Sequence, residues 1–311
     1  MSPLKVEAEK IALMDARRAL LRSGYLLEHR LEAVLLDRGY YVEANEAYPD
    51  PDTGKSRELD IYGMQALKAG RGEFDFVFTV LLAECVNNPQ PLAFITKEPL
   101  LGFLHHEDVA LAGLPVKVPE SRKTWRSLAD YLGMDKYHHY CKGRIATQYC
   151  SFVLKKKQPA EWMATHEDSH FDAFRKLSAA VDYYSRKHFE SWRIGKREYI
   201  NLEFYYPVLV VQGDLMDVRQ NKKSLRISKA EHIQYRMSTL VGKEQRTHQI
   251  DVVTERFFSK YLDILDSELA KTARLLRRRH KFVNMTVDRI ARAASRFRSP
   301  EKVRAAMELG T

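Results

Sequence analysis

The apolar segment from Phe74 to Val86 constrains the fold more than any other, because its phenylalanine, valine and leucine residues fall on both faces of an extended strand. A strand that is apolar on both faces is typical of the middle of a sheet that is covered on both sides. The segment is too short to span a bilayer, and Asp75 and Glu84 interrupt it. Gly70-Arg71-Gly72, just before it, suits a tight turn. We therefore expect a central buried strand that follows a hairpin turn.

Helices and further strands are expected on either side of this strand. Leu27, Leu31 and Leu35 recur at helical spacing, which predicts a helix over about residues 25–37 that ends before Gly39. Apolar or alternating stretches predict strands at residues 40–48, 58–65, 91–96, 204–212, 215–219, 231–240 and 248–253. Amphipathic stretches predict helices at residues 166–192 and from 254 onward. This order predicts an α/β or α+β fold in which helices flank a mixed sheet.

The length of 311 residues and the hydrophobic fraction of 45% are enough for one large domain or two ordinary ones. We expect residues 1–160 to form the core that carries the chemistry, and residues 161–311 to form a helix–strand–helix region. The sequence leaves open whether the second region is continuous with the first domain. No signal-peptide-like apolar stretch stands near residue 1, so a cytoplasmic protein without membrane contact is expected.

Three acidic residues, Glu28, Asp60 and Glu84, suggest a specific chemistry. Glu28 lies on the first predicted helix, and the two others lie on strands that a hairpin centred near residue 72 would set opposite each other, about 5 Å apart. Two such carboxylates can hold Mg²⁺ or Mn²⁺ through oxygen ligands. The ion would then activate a water and offset negative charge on a phosphodiester. The alternative is an ordinary buried network in which Arg57 or a nearby lysine pairs with the carboxylates.

The arrangement of these acids resembles that of the PD-(D/E)XK superfamily of restriction-endonuclease-like nucleases. The resemblance covers about residues 20–97, and its motifs are Arg57-Glu58-Leu59-Asp60-Ile61, Glu84-Cys85-Val86 and Gln90-Pro91-Leu92-Ala93-Phe94. It implies a restriction-endonuclease-like mixed sheet and Mg²⁺-dependent DNA cleavage, with Asp60 and Glu84 as metal ligands and Glu28 as a helper. By analogy, it also implies a setting in restriction or anti-phage defence, with other subunits of a defence complex as partners.

The chain departs from the superfamily at the lysine that should follow the glutamate by two residues. Val86 stands there, on the same face of the strand as Glu84, and an apolar side chain can neither position water nor stabilise negative charge. Some members of the superfamily recruit a lysine from elsewhere. Lys97, at the end of the next strand in sequence, is the first candidate for a replacement, with Asn87 or Asn88 behind it.

Positive charge is concentrated near the C-terminus of a chain whose formal net charge is +10. Ten lysine and arginine residues lie between Lys271 and Arg298, against the single acid Asp288. Such a segment attracts phosphate backbones, so Arg277, Arg278, Arg279 and Lys281 are the predicted nucleic-acid contacts. A solvated basic helix face is the alternative.

Other potential ligands give weaker indications. The adjacent histidines His105-His106 and His138-His139 lack partners at ligand spacing and are interpreted as surface polar residues. Cys85, Cys141 and Cys150 also lack metal-ligand spacing. Two hypotheses follow from the sequence: a metal-dependent nuclease that acts on or binds DNA, and a catalytically degenerate nuclease fold that serves as a nucleic-acid-binding or scaffold subunit.

Overall fold

The structure is a computed structural model that describes residues 10–87, 90–99, 109–121, 124–155, 159–166, 168–190, 199–222, 224–241, 244–296 and 302. Asn88, Arg298 and the pair His105-His106 lie outside the described residues. Within them the chain forms a mixed α/β structure, in which helices flank one large mixed sheet.

The helices and strands alternate irregularly along the chain. The α-helices are α1 (Leu13–Arg22), α2 (Tyr25–Asp37), α3 (Leu128–Leu132), α4 (Asp168–Glu190), α5 (Phe258–Arg278) and α6 (His280–Ala294). The strands are β1 (Tyr41–Pro49), β2 (Ser56–Lys68), β3 (Phe76–Val86), β4 (Leu92–Lys97), β5 (Ala110–Leu114), β6 (Lys117–Pro119), β7 (Trp125–Ser127), β8 (Ile145–Lys155), β9 (Glu161–Thr165), β10 (Asn201–Val211), β11 (Leu215–Gln220), β12 (Leu225–Ala230), β13 (His232–Val241) and β14 (Glu244–Thr254). Short 3₁₀ turns lie at Met134–Lys136, His139–Cys141 and Glu255–Phe257. None of the helices in the described ranges is both long enough and apolar enough to span a membrane.

The large sheet contains twelve strands, ten of them in the order β1-β2-β3-β10-β14-β13-β8-β4-β11-β12, with β5 paired to β10 and β9 paired to β8. The strands β1, β2 and β3 form an antiparallel meander, whereas β3, β10 and β14 run parallel. Strands from both predicted regions, before and after residue 160, therefore share one sheet. The carboxyl ends of β3, β10 and β14 meet at one edge of it.

The strand β3 confirms the prediction of a central strand that is buried on both faces. Val80 and Leu82 pack into a core covered by α4, which we call the α4-side core. Leu81 and Ala83 pack into a core covered by α2, α5 and α6, which we call the α5-side core. Each fully buried leucine contributes about 1.5–3 kcal/mol relative to an exposed one. This two-sided burial explains why the segment is apolar on both faces.

Candidate active site

The β2–β3 hairpin forms in the predicted register. Ile61 pairs with Ala83 and Tyr62 with Leu82, so Asp60 and Glu84 are the two residues that directly adjoin the last pair of the ladder. The turn depends on Gly70, because a Cβ atom there would lie 2.1 Å from Asp75 Oδ2. The buried Asp75 carboxylate accepts hydrogen bonds from the backbone N–H groups of Gly72 (2.6 Å) and Ile200 (3.0 Å). It thus closes the turn and joins it to the start of β10.

The backbone of β2 is irregular at Asp60. In a regular strand residues i and i+2 lie on one face, yet Leu59 packs into the α4-side core and Ile61 into the α5-side core. Asp60 Oδ2 accepts a hydrogen bond from the backbone N–H of Cys85 at 2.7 Å, which holds the carboxylate against the end of β3. Burial raises the pKa of Asp60, and the Cys85 N–H group and Lys176 partly offset this effect.

Glu84 is buried, and its two oxygens have different surroundings. Oε2 accepts a hydrogen bond from Lys176 Nζ at 2.5 Å. Oε1 is buried without a hydrogen-bond partner among the described atoms. Burial and the neighbouring Asp60 carboxylate raise the pKa of Glu84 to about 8, although Lys176 opposes them. One oxygen of Glu84 is thus paired with a cation, and the other has no hydrogen-bond partner among the described atoms.

The cation comes from α4, 92 residues further along the chain than Glu84. The helix packs against β3, β5 and β10, and the hydroxyl of Tyr48 donates to the backbone carbonyl of Lys176 at 2.7 Å. This bond fixes the helix at the residue that carries the ammonium group. The Lys176 side chain remains 27% exposed, so its ammonium group is reachable from solvent.

Glu28 completes the group from the first turn of α2. Burial raises the pKa of its carboxyl, the negative charges of Asp60 and Glu58 raise it further, and Lys176 lowers it. The helix approaches the end of β3 closely, because a Cβ atom on Gly24 would lie 3.4 Å from Glu28 Oε1 and 3.6 Å from the Cys85 carbonyl oxygen. We refer to Glu28, Asp60, Glu84 and Lys176 as the carboxylate–lysine cluster.

Lys97, the first candidate to replace the lysine, does not lie on a strand next to β3. Lys97 ends β4, and four strands separate β4 from β3 in the sheet. The place beside β3 is taken by β10, which enters the sheet after the α4 crossover. Asn87 does not replace the lysine either, because its amide donates to the carbonyls of Leu21 and Ser23, both at 3.1 Å.

The predicted nucleic-acid contacts lie far from the carboxylates. Helix α5 begins just after β14, at the edge of the sheet where β3 ends, and its 21 residues carry the chain about 30 Å away. Arg277, Arg278 and Lys281 are exposed there. Arg279 is only partly exposed, because it donates to the backbone carbonyl of Tyr131 and its guanidinium lies 4.5 Å from the centroid of the Tyr131 ring. Arg279 therefore holds α5 against α3.

A second ionisable group, in the α5-side core, was not predicted. His138 and His139 are buried, so their interpretation as surface residues is wrong. His139 lies between two carboxylates, with Nδ1 2.9 Å from Glu268 Oε2 and Nε2 3.0 Å from Asp251 Oδ2. Asp251 also accepts from His232 (2.6 Å). We refer to His139, His232, Asp251 and Glu268 as the histidine–carboxylate network.

His138 and His139 of this second group already use ring nitrogens in hydrogen bonds to protein groups. Potential ligand atoms of His138, His139 and Glu268 lie within 4.8 Å of one another, the one such group of three found among the described residues. Burial opposes the charge on His139, but Asp251 and Glu268 outweigh it and raise its pKa to about 10. His138 Nδ1 accepts the N–H of Tyr140 at 3.2 Å, and burial lowers the pKa of His138. Its neutral ring therefore carries the proton on Nε2, the atom that would have to bind a metal.

No family model matches the chain, and neither a curated protein nor a solved structure is similar to it. Function is therefore inferred from the geometry of the carboxylate–lysine cluster, in which buried acids from β2 and β3 share a lysine from α4.

Proposed function

We propose that this chain is a metal-dependent phosphodiesterase of the PD-(D/E)XK type, in which Lys176 replaces the lysine that is missing at Val86. The observation that carries the proposal is the 2.5 Å contact between Lys176 Nζ and Glu84 Oε2. It supplies a cation beside the two strand carboxylates, which is the arrangement that the chemistry needs. The helix–strand–strand–strand order of α2, β1, β2 and β3 supports a restriction-endonuclease-like core.

The donor atoms fit Mg²⁺ or Mn²⁺. Mg²⁺ in proteins is commonly held by one or two carboxylates, with waters and substrate phosphates as its other ligands. Asp60 and Glu84 would provide the two carboxylates, and the unpartnered Oε1 of Glu84 is a buried oxygen that such an ion would satisfy. When bound, the ion lowers the pKa of a coordinated water and offsets charge on the phosphodiester.

Side chains of the protein would supply the other catalytic and binding roles. The Lys176 ammonium, fixed through Tyr48, stabilises the negative charge that develops on the phosphoryl oxygens in the transition state, since a preorganised cation needs no rearrangement at that moment. Glu28, which is only partly buried, can hold a water at the outer side of the cluster. The exposed Arg277, Arg278 and Lys281 would contact nucleic acid at the far end of α5, about 30 Å along that helix from the edge of the sheet where β3 ends, so a polymer is the substrate that could reach both places.

A second candidate function is supported by the same ion pair. Lys176 neutralises a buried carboxylate without any metal, as it would in a structural pair. A chain of this kind could keep the nuclease fold and serve as a nucleic-acid-binding or scaffold subunit, for example of a cytoplasmic defence complex.

Cleavage assays on single-stranded DNA, duplex DNA and RNA with Mg²⁺ or Mn²⁺ separate the two functions. Wild type should cleave at least one substrate, and Lys176→Ala should lower the rate at least about 100-fold, as loss of one transition-state donor does. Lys97→Ala is the matched control and should leave the rate unchanged. Cleavage that survives Lys176→Ala or Asp60→Ala would reject the proposed site. Metal-independent binding with no cleavage by wild type would favour the second function.

A further inference from the structure

A groove of about 540 Å³ runs along α4 beside the carboxylate–lysine cluster. It is bounded by the β1–β2 turn on one side and by the β13–β14 hairpin on the other. We call it the α4 groove, and its lining includes Arg57, Phe171, Arg175, Ser178 and Leu240. Its volume lies within the range of about 300–1,000 Å³ that is usual for small-molecule sites.

The groove adjoins the proposed catalytic lysine. Arg175 lines it and directly precedes Lys176. Tyr48, whose hydroxyl binds the Lys176 carbonyl, pairs in the β1–β2 register with Arg57, which also lines the groove. A nucleic-acid strand whose phosphate lay against Lys176 would therefore place a neighbouring nucleotide within reach of the groove.

Five charged residues line the groove: the arginines Arg57 and Arg175 and the aspartates Asp50, Asp52 and Asp182, of which Asp52 is exposed. Arg57 is paired with Asp50, and Asp182 is paired with Arg246 at 2.8 Å. Arg175 is exposed and makes no ion pair within the described ranges of the chain. An arginine in this state suits a phosphate group, which the planar guanidinium can bind through two parallel hydrogen bonds.

Polar and aromatic surfaces accompany this arginine. Ser178 is 3% exposed, and its hydroxyl has no hydrogen-bond partner among the described atoms. Phe171 is 37% exposed and Leu240 is 75% exposed, so the groove offers an accessible ring and an apolar side chain. An exposed aromatic ring is a stacking surface for an unpaired base, and such stacking tolerates any base because each has a π face.

We propose that the α4 groove binds one nucleotide of a single-stranded nucleic acid, next to the phosphate that is cleaved. Arg175 contacts the phosphate of that nucleotide, Ser178 Oγ gains a partner in it, and its base lies on Phe171 with Leu240 nearby. This inference rests on the proposed function for its position beside the scissile phosphate. It adds the substrate class, because a base inside a duplex cannot stack on a protein ring.

Binding without divalent metal tests the groove independently of cleavage. Fluorescence anisotropy with labelled single-stranded oligonucleotides of DNA and RNA, and with a blunt duplex, would be measured in EDTA for wild type, Phe171→Ala and Arg175→Ala. Phe171→Ala should weaken single-strand binding about 5- to 150-fold, the range for loss of one stacked base. Arg175→Ala should weaken it at least about fivefold. Duplex binding should change less than twofold in both variants.

Matched controls use residues outside the groove. Lys187→Ala removes one positive charge from the same helix, and Trp162→Ala removes an aromatic ring that is 57% exposed; both should bind like wild type. All altered side chains are at least partly exposed, and thermal melts would check that each variant folds. Groove variants that bind single strands as tightly as the controls overturn the inference, even if cleavage is found. Selective weakening of single-strand binding supports the groove as a nucleotide site. If the wild type shows this binding but does not cleave, only the proposed catalysis is rejected.

Discussion

The carboxylate–lysine cluster and the histidine–carboxylate network both bury acids beside a cation, but they differ in how completely those acids are satisfied. Asp251 accepts hydrogen bonds from His139, His232 and Tyr261, and despite its burial these partners lower its pKa. Glu84 has Lys176 on one oxygen and, within the described part of the chain, no hydrogen-bond partner on the other, and its pKa is raised. Fully paired acids stabilise a fold, whereas incompletely paired ones are available to a ligand.

The largest expected difference between the two regions is in stability. Asp251→Ala leaves the buried His139 cation without one of its two partners, and breaking a buried pair in this way should lower the free energy of unfolding by about 3–5 kcal/mol. Glu84→Gln keeps the shape of the side chain and removes a poorly solvated acid, so it should change this free energy by no more than about 1 kcal/mol. Urea denaturation of both variants measures the contrast. Equal losses would show that the cluster is as structural as the network.

Metal binding should act on one region alone. At 100 times its dissociation constant, Mn²⁺ should raise the free energy of unfolding of wild type by about 2.7 kcal/mol. Asp60→Ala should abolish this gain, whereas His139→Gln should keep it, because both ring nitrogens of His139 are already hydrogen-bonded to carboxylates. Thermal unfolding with and without Mn²⁺ provides the measurement. A gain in stability that disappears in His139→Gln and persists in Asp60→Ala would show that the metal binds in the histidine–carboxylate network and not in the carboxylate–lysine cluster.

The pH dependence of stability should carry the signature of the network. The pKa of His139 is raised to about 10 in the folded state, against about 6.5 in the unfolded chain. The contribution of His139 to the free energy of unfolding is therefore complete below about pH 6.5. It is lost as the pH rises towards 10, by up to about 1.4 kcal/mol per pH unit. The pKa of Asp251 is lowered, so its contribution is present above about pH 4 and is lost in acid. Denaturation of wild type and His139→Gln between pH 6 and 10 tests the alkaline limb, which should be flatter in the variant.

The smallest effects should come from the basic end of α5, where paired and unpaired cations lie side by side. Arg279→Ala removes contacts to Tyr131 and should lower the free energy of unfolding by about 1 kcal/mol. The double variant Arg277→Ala, Arg278→Ala should change it by less than about 0.5 kcal/mol. The effect of the double variant should appear in DNA binding instead. The slope of the logarithm of the binding constant against the logarithm of the salt concentration should become shallower by about 1.8 if both residues contact phosphate. An unchanged slope would mean that these exposed cations are only solvated.

The local parts of the fold and site could be predicted from the sequence. Glycines at the turn and the two-sided apolar pattern of β3 determine the hairpin register, and this register places Asp60 and Glu84 next to the last pair of the ladder. Spacing alone also located α2 and α4 to within a few residues. In each case the decisive interactions join residues that are close in sequence.

The parts that depend on distant contacts could not be predicted. Lys176 lies 92 residues from Glu84, and only the docking of α4 brings them together. A signal did exist, because Lys176 lies within the apolar stripe that includes Ala173, Leu177 and Ala180. His139 was misjudged for a related reason, since its partners Asp251 and Glu268 are 112 and 129 residues away.

The position of Lys176 on α4, after all three acids of the cluster in the chain, has a consequence for protein synthesis. Domains acquire structure from the N-terminus as the ribosome extends the chain. A nascent chain that has emerged as far as β9 contains Glu28, Asp60 and Glu84 but not the ammonium group of Lys176. The proposed chemistry is therefore withheld until more than half of the polypeptide has emerged and α4 has docked. An abortive product that ends before Lys176 would lack the proposed catalytic cation.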